Sequence, residues 1–253
     1  DLAVMRPSLW PGLVRTWIAN RKRQQTRARL FEIGRAFLPD GARGHREPER
    51  IAGLLTGERL PEQWGAPGAA VDFYDLRGLV EDLLACTRSP ESFVFEAATH
   101  PALHPGQCAR VLRDGAVVGL LGRIHPRLQE ELDLAQPLFL FELELEGLSA
   151  RARARYEGLS RFPAVRRDLA IDLDAGVPAD RVIAVAREAG GSIVTGVSLF
   201  DVYTGQGLEV GRRSLALAIV MQHPERTLED AETADAVERM LEALTRALGA
   251  RRR

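Results

Sequence analysis

The chain has 253 residues, 45% of them apolar and 27% charged, with a formal net charge of −1. That composition excludes disordered and collagen-like chains and leaves room for one large or two ordinary domains. No apolar run approaches the ~18 residues of a membrane span, and with no net positive charge any nucleic-acid site has to come from local clustering of arginine. Arginine is the cation in use, since Lys22 is the only lysine; it suits bidentate phosphate and base contacts, although a GC-rich coding sequence accounts for most of the bias. Cys86 and Cys108 fall in no metal-spaced pattern and read as buried free thiols in a reducing cytoplasm. The chain opens on Asp1 within patterned sequence and reads as the C-terminal piece of a longer protein.

In chain order, Pro11 to Asn20 has a helical spacing of Leu13, Val14, Trp17 and Ile18. The basic run Arg21-Lys22-Arg23 reads as a solvated helix end. A strand over Leu30–Leu38 stops at Pro39, a polar loop fills 40–49, and a second strand covers Ile51–Gly57. Asp72 and Asp75 mark the capped start of a helix with Leu76, Leu79, Val80 and Leu83 as its buried stripe. That cap explains both carboxylates without catalysis. Strands follow at Phe93–Phe95, His104–Leu112 and Val117–Pro126, the last two joined by an Asp114-Gly115 hairpin turn. A short helix over 127–132 precedes a strand over Leu138–Leu145. His100, His104 and His125 each stand next to proline or near a turn, and no carboxylate has ligand spacing to them, so they read as structural.

The pattern divides the chain into domain 1–148, linker 149–158 and domain 159–253. The linker carries Arg151, Arg153 and Arg155 and little that builds a core. The second domain reads strand, helix, strand, strand, helix, strand, the split βαβ order of a ferredoxin-like fold. Its strand at 166–173 turns Leu169, Ile171 and Leu173 inward. A helix starts at Pro178-Ala179-Asp180 and ends at Gly190-Gly191, and another starts at a capping box led by Thr227. Both helices on one sheet face leave the other open. On that face, alternation places Asp201 and Tyr203 from one strand beside Arg212, Ser214, Ala216 and Ala218 from the next, with Phe200 and Val202 directed to the opposite side. An aromatic, an acid, a hydroxyl and low-profile alanines suit a flat base: the ring stacks and the polar groups read an edge. Taken alone, Tyr203 at a strand end also fits simple edge packing.

Three runs of the second domain carry a family resemblance: Arg161-Phe162-Pro163-Ala164-Val165-Arg166-Arg167-Asp168-Leu169-Ala170, the Leu199–Ser214 stretch, and His223-Pro224-Glu225-Arg226-Thr227-Leu228. Together they resemble the C-terminal anticodon-binding domain of the bacterial phenylalanyl-tRNA synthetase beta subunit. In the first domain, Met5-Arg6-Pro7-Ser8-Leu9-Trp10-Pro11-Gly12-Leu13, Leu30–Phe37, Asp72–Gly78 and His104-Pro105-Gly106 resemble that subunit's catalytic-like domain, in the same order. The resemblance implies an α+β architecture, with a class II synthetase-like antiparallel sheet domain followed by a ferredoxin-like βαββαβ domain. It implies a tRNA(Phe) anticodon site at Asp201, Tyr203 and Ser214. Arg166 and Arg212 join that face by strand parity as phosphate contacts. It also implies a catalytic alpha subunit as partner in a heterotetramer of two alpha and two beta chains, a cytoplasmic setting, and ATP and Mg2+ for the complete enzyme.

No cofactor and no catalysis are expected of this chain alone. Phe37 is followed by Leu38-Pro39-Asp40, where a working site needs an arginine for the acyl-adenylate phosphate. The strand ending at Leu145 runs into Glu146-Gly147-Leu148-Ser149 with no arginine-bearing helix. Two alternatives stand beside this reading: a purely structural assembly module, and an autonomous adenylate-forming enzyme.

Overall fold

The computed structural model describes residues 4–41, 44–149 and 158–253. The chain divides into two compact units, Asp1–Arg155 and Tyr156–Arg253. The expected linker, with Arg151, Arg153 and Arg155, lies outside the described residues except for its two ends.

Unit 1 opens with helix α1 (Trp10–Arg21), whose Pro11 sits in the first turn, where a missing N–H costs nothing. Next come β1 (Ala28–Arg35), β2 (Leu38–Pro39), β3 (His45–Arg46), β4 (Glu49–Thr56) and helix α2 (Phe73–Ala85). The remaining elements are β5 (Phe93–Ala97), β6 (Leu103–Arg113), β7 (Ala116–Ile124), α3 (Pro126–Glu131), β8 (Phe139–Glu144) and α4 (Leu145–Ser149). Six strands form an antiparallel sheet in the order β1-β4-β8-β7-β6-β5. Part of the expected polar loop, 40–49, pairs instead: β2 and β3 make a two-stranded ribbon.

Helix α2 starts as expected. The Asp72 carboxylate accepts from the Tyr74 and Asp75 N–H groups at 2.8 and 3.0 Å, and Asp75 accepts from the Asp72 N–H at 2.8 Å. Of the expected stripe, Leu76 and Val80 are fully buried with Leu84, Leu83 packs partly buried against the same core, and Leu79 is exposed. Cys86, expected buried, is exposed at the end of this helix, whereas Cys108 is buried in the sheet; both are free. The strand at 139–144 does lead into a helix, α4, and Leu148 packs into the core beneath α2.

Helix α1 covers the other sheet face, anchored by a buried carboxylate. Glu142, 9% exposed, accepts from the Leu9 N–H at 2.6 Å and the Ser8 hydroxyl at 3.0 Å, and pairs with Arg50 at 2.6 Å. Arg50 also reaches Glu144 at 3.1 Å. A buried carboxylate is tolerable only when paired and hydrogen-bonded in this way. The Arg-Pro-Ser-Leu-Trp run is thus an anchor: Arg6 pairs with Glu32, and the Trp10 indole donates to the Phe141 carbonyl at 2.9 Å.

Unit 2 contains β9 (Val165–Asp174), α5 (Ala179–Gly190), β10 (Val194–Tyr203), β11 (Arg212–Met221), α6 (Asp230–Leu248) and β12 (Arg251–Arg252). The sheet order is β10-β11-β9-β12, antiparallel throughout, which is the expected βαββαβ arrangement. Leu169, Ile171 and Leu173 of β9 and Leu215, Leu217, Ile219 and Met221 of β11 meet Val182 and Ala186 of α5 and Ala236, Met240 and Leu244 of α6 in one core. Both helices therefore lie on one face.

The cap of α6 falls two residues later than expected. Glu229 and Glu232 form the box, and Arg226 grips Glu232 with two bonds of 2.6 Å. Its buried line is Thr233, Ala236, Val237, Met240 and Leu244, with Leu241 and Leu248 partly buried against the same core. The first and third motif runs of this unit also meet at their edges: the Ser160 hydroxyl donates to the His223 carbonyl at 2.9 Å, and the Gln222 amide to the Phe162 carbonyl at 2.7 Å.

The Glu232 carboxyl is held at about 2, first by its hydrogen bond from Arg226 and then by the Glu229 N–H. A folded value below the ordinary 4.5 means that the pairing stabilises fully above pH 4.5 and is lost as the pH falls through 2. NMR titration of this carboxyl should give a midpoint near 2, and Arg226→Ala should move it back toward 4.5. A midpoint that ignores the substitution would remove Arg226 as the cause.

Candidate nucleic-acid interface

Residues directly opposite across a sheet share a face. In β11 the Leu215, Leu217, Ile219 and Met221 row is fully buried under the helices. The other row, Arg212, Ser214, Ala216, Ala218 and Val220, stands opposite Asp174, Asp172, Ala170, Asp168 and Arg166 of β9. From β10, Asp201 pairs with Ala216 and Tyr203 with Ser214. Arg251 of β12 pairs with Asp172. The register thus brings Arg166, Asp201, Tyr203, Arg212 and Ser214 to one helix-free face.

Tyr203 is the best defined of these. The residue is 39% exposed, and its hydroxyl donates to the Gln206 carbonyl at 3.1 Å. The loop closes against the ring at Gly205, where an added Cβ would stand 2.7 Å from the Tyr203 oxygen, so only glycine fits without a shift. The guanidinium of Arg253 lies 4.8 Å over the ring centroid. The ring is therefore held in place, with one face under a cation.

The polar residues are not equivalent. Asp201 is exposed, and among the described residues its carboxylate makes no hydrogen bond or ion pair, so it is free to accept from a base edge. Ser214 is only 5% exposed, so contact with its hydroxyl requires neighbours to part. Arg166 is exposed, bonds Asp168 at 2.9 Å, and lies 5.3 Å from the Phe200 ring centroid. Arg212 is largely buried. Its Nε donates to the Asp172 carboxylate at 2.9 Å, and its Nη2 bonds the same carboxylate and the carbonyls of Asp172 and Gly249. It ties β11 to β9 and to the end of α6.

Sequence reasoning missed two side chains here. A β-bulge between Leu199 and Asp201 breaks the alternation. Phe200, expected on the opposite side, lies under Arg166 on the open face and is 53% exposed. Bulges leave no compositional mark. Arg253 arrives through the pairing of β12 beside β9, a contact distant in sequence from Tyr203.

The competing sites carry less chemistry. The histidine rings of His100, His104, His125 and His223 each accept, through Nδ1, the N–H two residues on, and each precedes a proline. They are turn elements, and no metal-binding cluster occurs among the described residues. Burial pushes the His100 pKa down despite nearby Glu142, which keeps that ring neutral. A cavity of about 920 Å³ in unit 1 is lined by Trp10, Val14, Leu120, Leu128, Leu140 and Glu142 among others. Arg50 pairs with Glu142 and Glu144 at its ionic end, leaving only the Arg50 Nε of that guanidinium without a hydrogen-bond partner. No described helix is long and apolar enough to cross a membrane.

Comparison with known proteins supplies family matches for both units. Residues 1–145 match the phenylalanyl tRNA synthetase beta chain CLM domain, and residues 160–253 match the ferredoxin-fold anticodon binding domain. The phenylalanine–tRNA ligase beta subunit of Aromatoleum aromaticum is 46% identical over all of this chain and 32% of its own length. That of Vibrio cholerae is 40% identical over 99% of this chain and 32% of its own length. The chain thus spans about a third of the length of the curated relatives it matches. A solved pyrrolysyl tRNA synthetase from Desulfitobacterium hafniense is 18% identical, with a TM-score of 0.40, over 56% of this chain and 47% of its own.

The different settings of the two arginines are measurable. Arg212→Ala should cost unit 2 about 1.5–3 kcal/mol, as for hydrogen bonds to a charged group. Arg166→Ala, with an exposed pair, should stay within about 0.5 kcal/mol. Trp10, Trp17 and Trp64 are all in unit 1, so amide hydrogen exchange in β9 and β11 is the suitable readout. Equal effects of the two substitutions would refute the distinction.

Proposed function

The chain belongs to the phenylalanyl-tRNA synthetase beta-chain family, and from that membership we propose that unit 2 binds the anticodon of tRNA(Phe) on its helix-free sheet face. The observation that carries this is the ring of Tyr203, held by Gly205 and Gln206 above the low-profile Ser214–Ala216 row, with the unpaired Asp201 carboxylate beside it. A base stacks on the ring in place of the Arg253 guanidinium, which is then available to phosphate. Asp201 accepts from an N–H on the base edge. Arg166 supplies a second phosphate contact, and Arg212 belongs to the scaffold.

Unit 1 provides the contact with a catalytic alpha subunit, in an assembly of two alpha and two beta chains that uses ATP and Mg2+ at the alpha site. What supports this is the sheet edge: Phe31 and Ile33 of the edge strand β1 are 73% and 57% exposed, and they continue the apolar row of Gly53 and Phe141 and of Ile51 and Leu143. A large apolar edge of this kind marks a partner surface. This chain itself takes no catalytic role in the reaction.

Two measurements test the reading. In the complete alpha–beta enzyme, Tyr203→Ala should weaken tRNA(Phe) binding by about 1–3 kcal/mol. Tyr203→Phe should lose far less, since the ring persists. Asp201→Ala should narrow the gap between cognate and anticodon-altered tRNA, because an edge contact carries discrimination. Unchanged binding and discrimination in folded Tyr203→Ala enzyme would eliminate this face. For unit 1, the pair Phe31→Glu and Ile33→Glu should abolish co-purification with the alpha subunit while leaving the chain folded by circular dichroism. Retained assembly would move the contact elsewhere.

A further inference from the structure

We propose that Phe200 is a second base-stacking position, so that the open face of unit 2 grips two neighbouring unpaired nucleotides rather than one; this rests on the RNA-binding reading of that face. The bulge at Leu199/Asp201 is what delivers the ring there. Phe200 stands outside the apolar core under the helices and is 53% exposed. The fold therefore gains little burial from an aromatic at this position.

Its setting repeats that of Tyr203. Each ring lies on β10, the edge strand of the sheet, and each carries an arginine guanidinium over one face, at 5.3 Å for Phe200 and 4.8 Å for Tyr203. A guanidinium over a ring occupies the place a base takes when it stacks, and arginine is able to move from the ring to phosphate. The two rings are three residues apart. At a rise of about 3.3 Å per residue, shortened by the bulge, they stand roughly 7–10 Å apart along the strand. That separation suits successive bases that have been unstacked from one another. Asp201 lies between them in sequence, within reach of an edge of either base. Stacking platforms of this kind tolerate any base, so Phe200 contributes affinity and Asp201 the reading.

The test uses the complete alpha–beta enzyme and tRNA(Phe), with Tyr203→Ala alongside. Phe200→Ala should weaken tRNA binding about 5- to 150-fold, the range for one stacked base, and Phe200→Trp should restore it. The introduced indole should also change its fluorescence when tRNA is added, measured against the unsubstituted enzyme; a merely structural ring would not. If Tyr203→Ala weakens binding while Phe200→Ala does not, the second position is refuted and the first survives. If neither weakens it, both fail. Loss in Phe200→Ala without rescue or fluorescence change in Phe200→Trp also overturns the proposal.

Discussion

Unit 2 depends on the two-residue alternation of a single strand. In β11 every second side chain, from Leu215 to Met221, is fully buried against α5 and α6. Burying each such side chain is worth about 1.5–3 kcal/mol, so this row sets the register of the strand. A slip of one residue would bring Ser214 and the alanines inward and expose the leucines. The composition of the open face follows from that constraint. Because the large residues are committed to the core, the centre of the opposite face holds only Ser214, Ala216 and Ala218, and it is flat. The features that stand above it come from the flanking strands: Tyr203 and Phe200 from β10, Arg166 from β9 and Arg253 from beside β12.

Much of the arginine in the chain holds the fold together. Arg6 and Arg50 fasten the start of α1 to the sheet, Arg226 closes the cap of α6, and Arg212 ties two strands to a helix end. Several of the runs that carry the family resemblance are therefore structural joints. The His-Pro pairs behave alike, each imidazole accepting a backbone N–H within its own turn. The open face mixes Arg166, Arg251 and Arg253 with Asp168, Asp201 and Glu209, so it presents no strongly positive field. A surface of that kind favours ring stacking and base-edge contacts over bulk attraction to phosphate.

The bulge in β10 decides what the open face carries. An extra residue in an edge strand leaves unpaired backbone at the rim of the sheet and re-aims a side chain. Here it turns a half-exposed phenylalanine toward the face that already carries Tyr203. The glycine-rich loop beyond serves the same end, since Gly207 and Gly211 have φ of 88° and 83° and Gly205 admits the tyrosine ring.

From the sequence alone, periodicity determined most element types, the ferredoxin-like order and the parity of β11, because burial on one side of a regular strand or helix writes itself directly into residue spacing, whereas the short β2–β3 ribbon lay hidden in a polar loop. It also placed Asp201, Tyr203, Ser214, Arg166 and Arg212 on one face. The tertiary structure decided which of them are available. Arg212 meets Asp172 forty residues away in sequence, and Ser214 is closed in between neighbouring strands, facts that spacing within one strand does not contain. Phe200 was misassigned because a bulge breaks the alternation without changing composition. The cap of α6 was placed early because several acidic residues in a row offer more than one box, and only the position of Arg226 selects Glu229 and Glu232. Local order follows from neighbours along the chain, whereas the accessibility of a charged or aromatic group is settled by partners that only folding brings near.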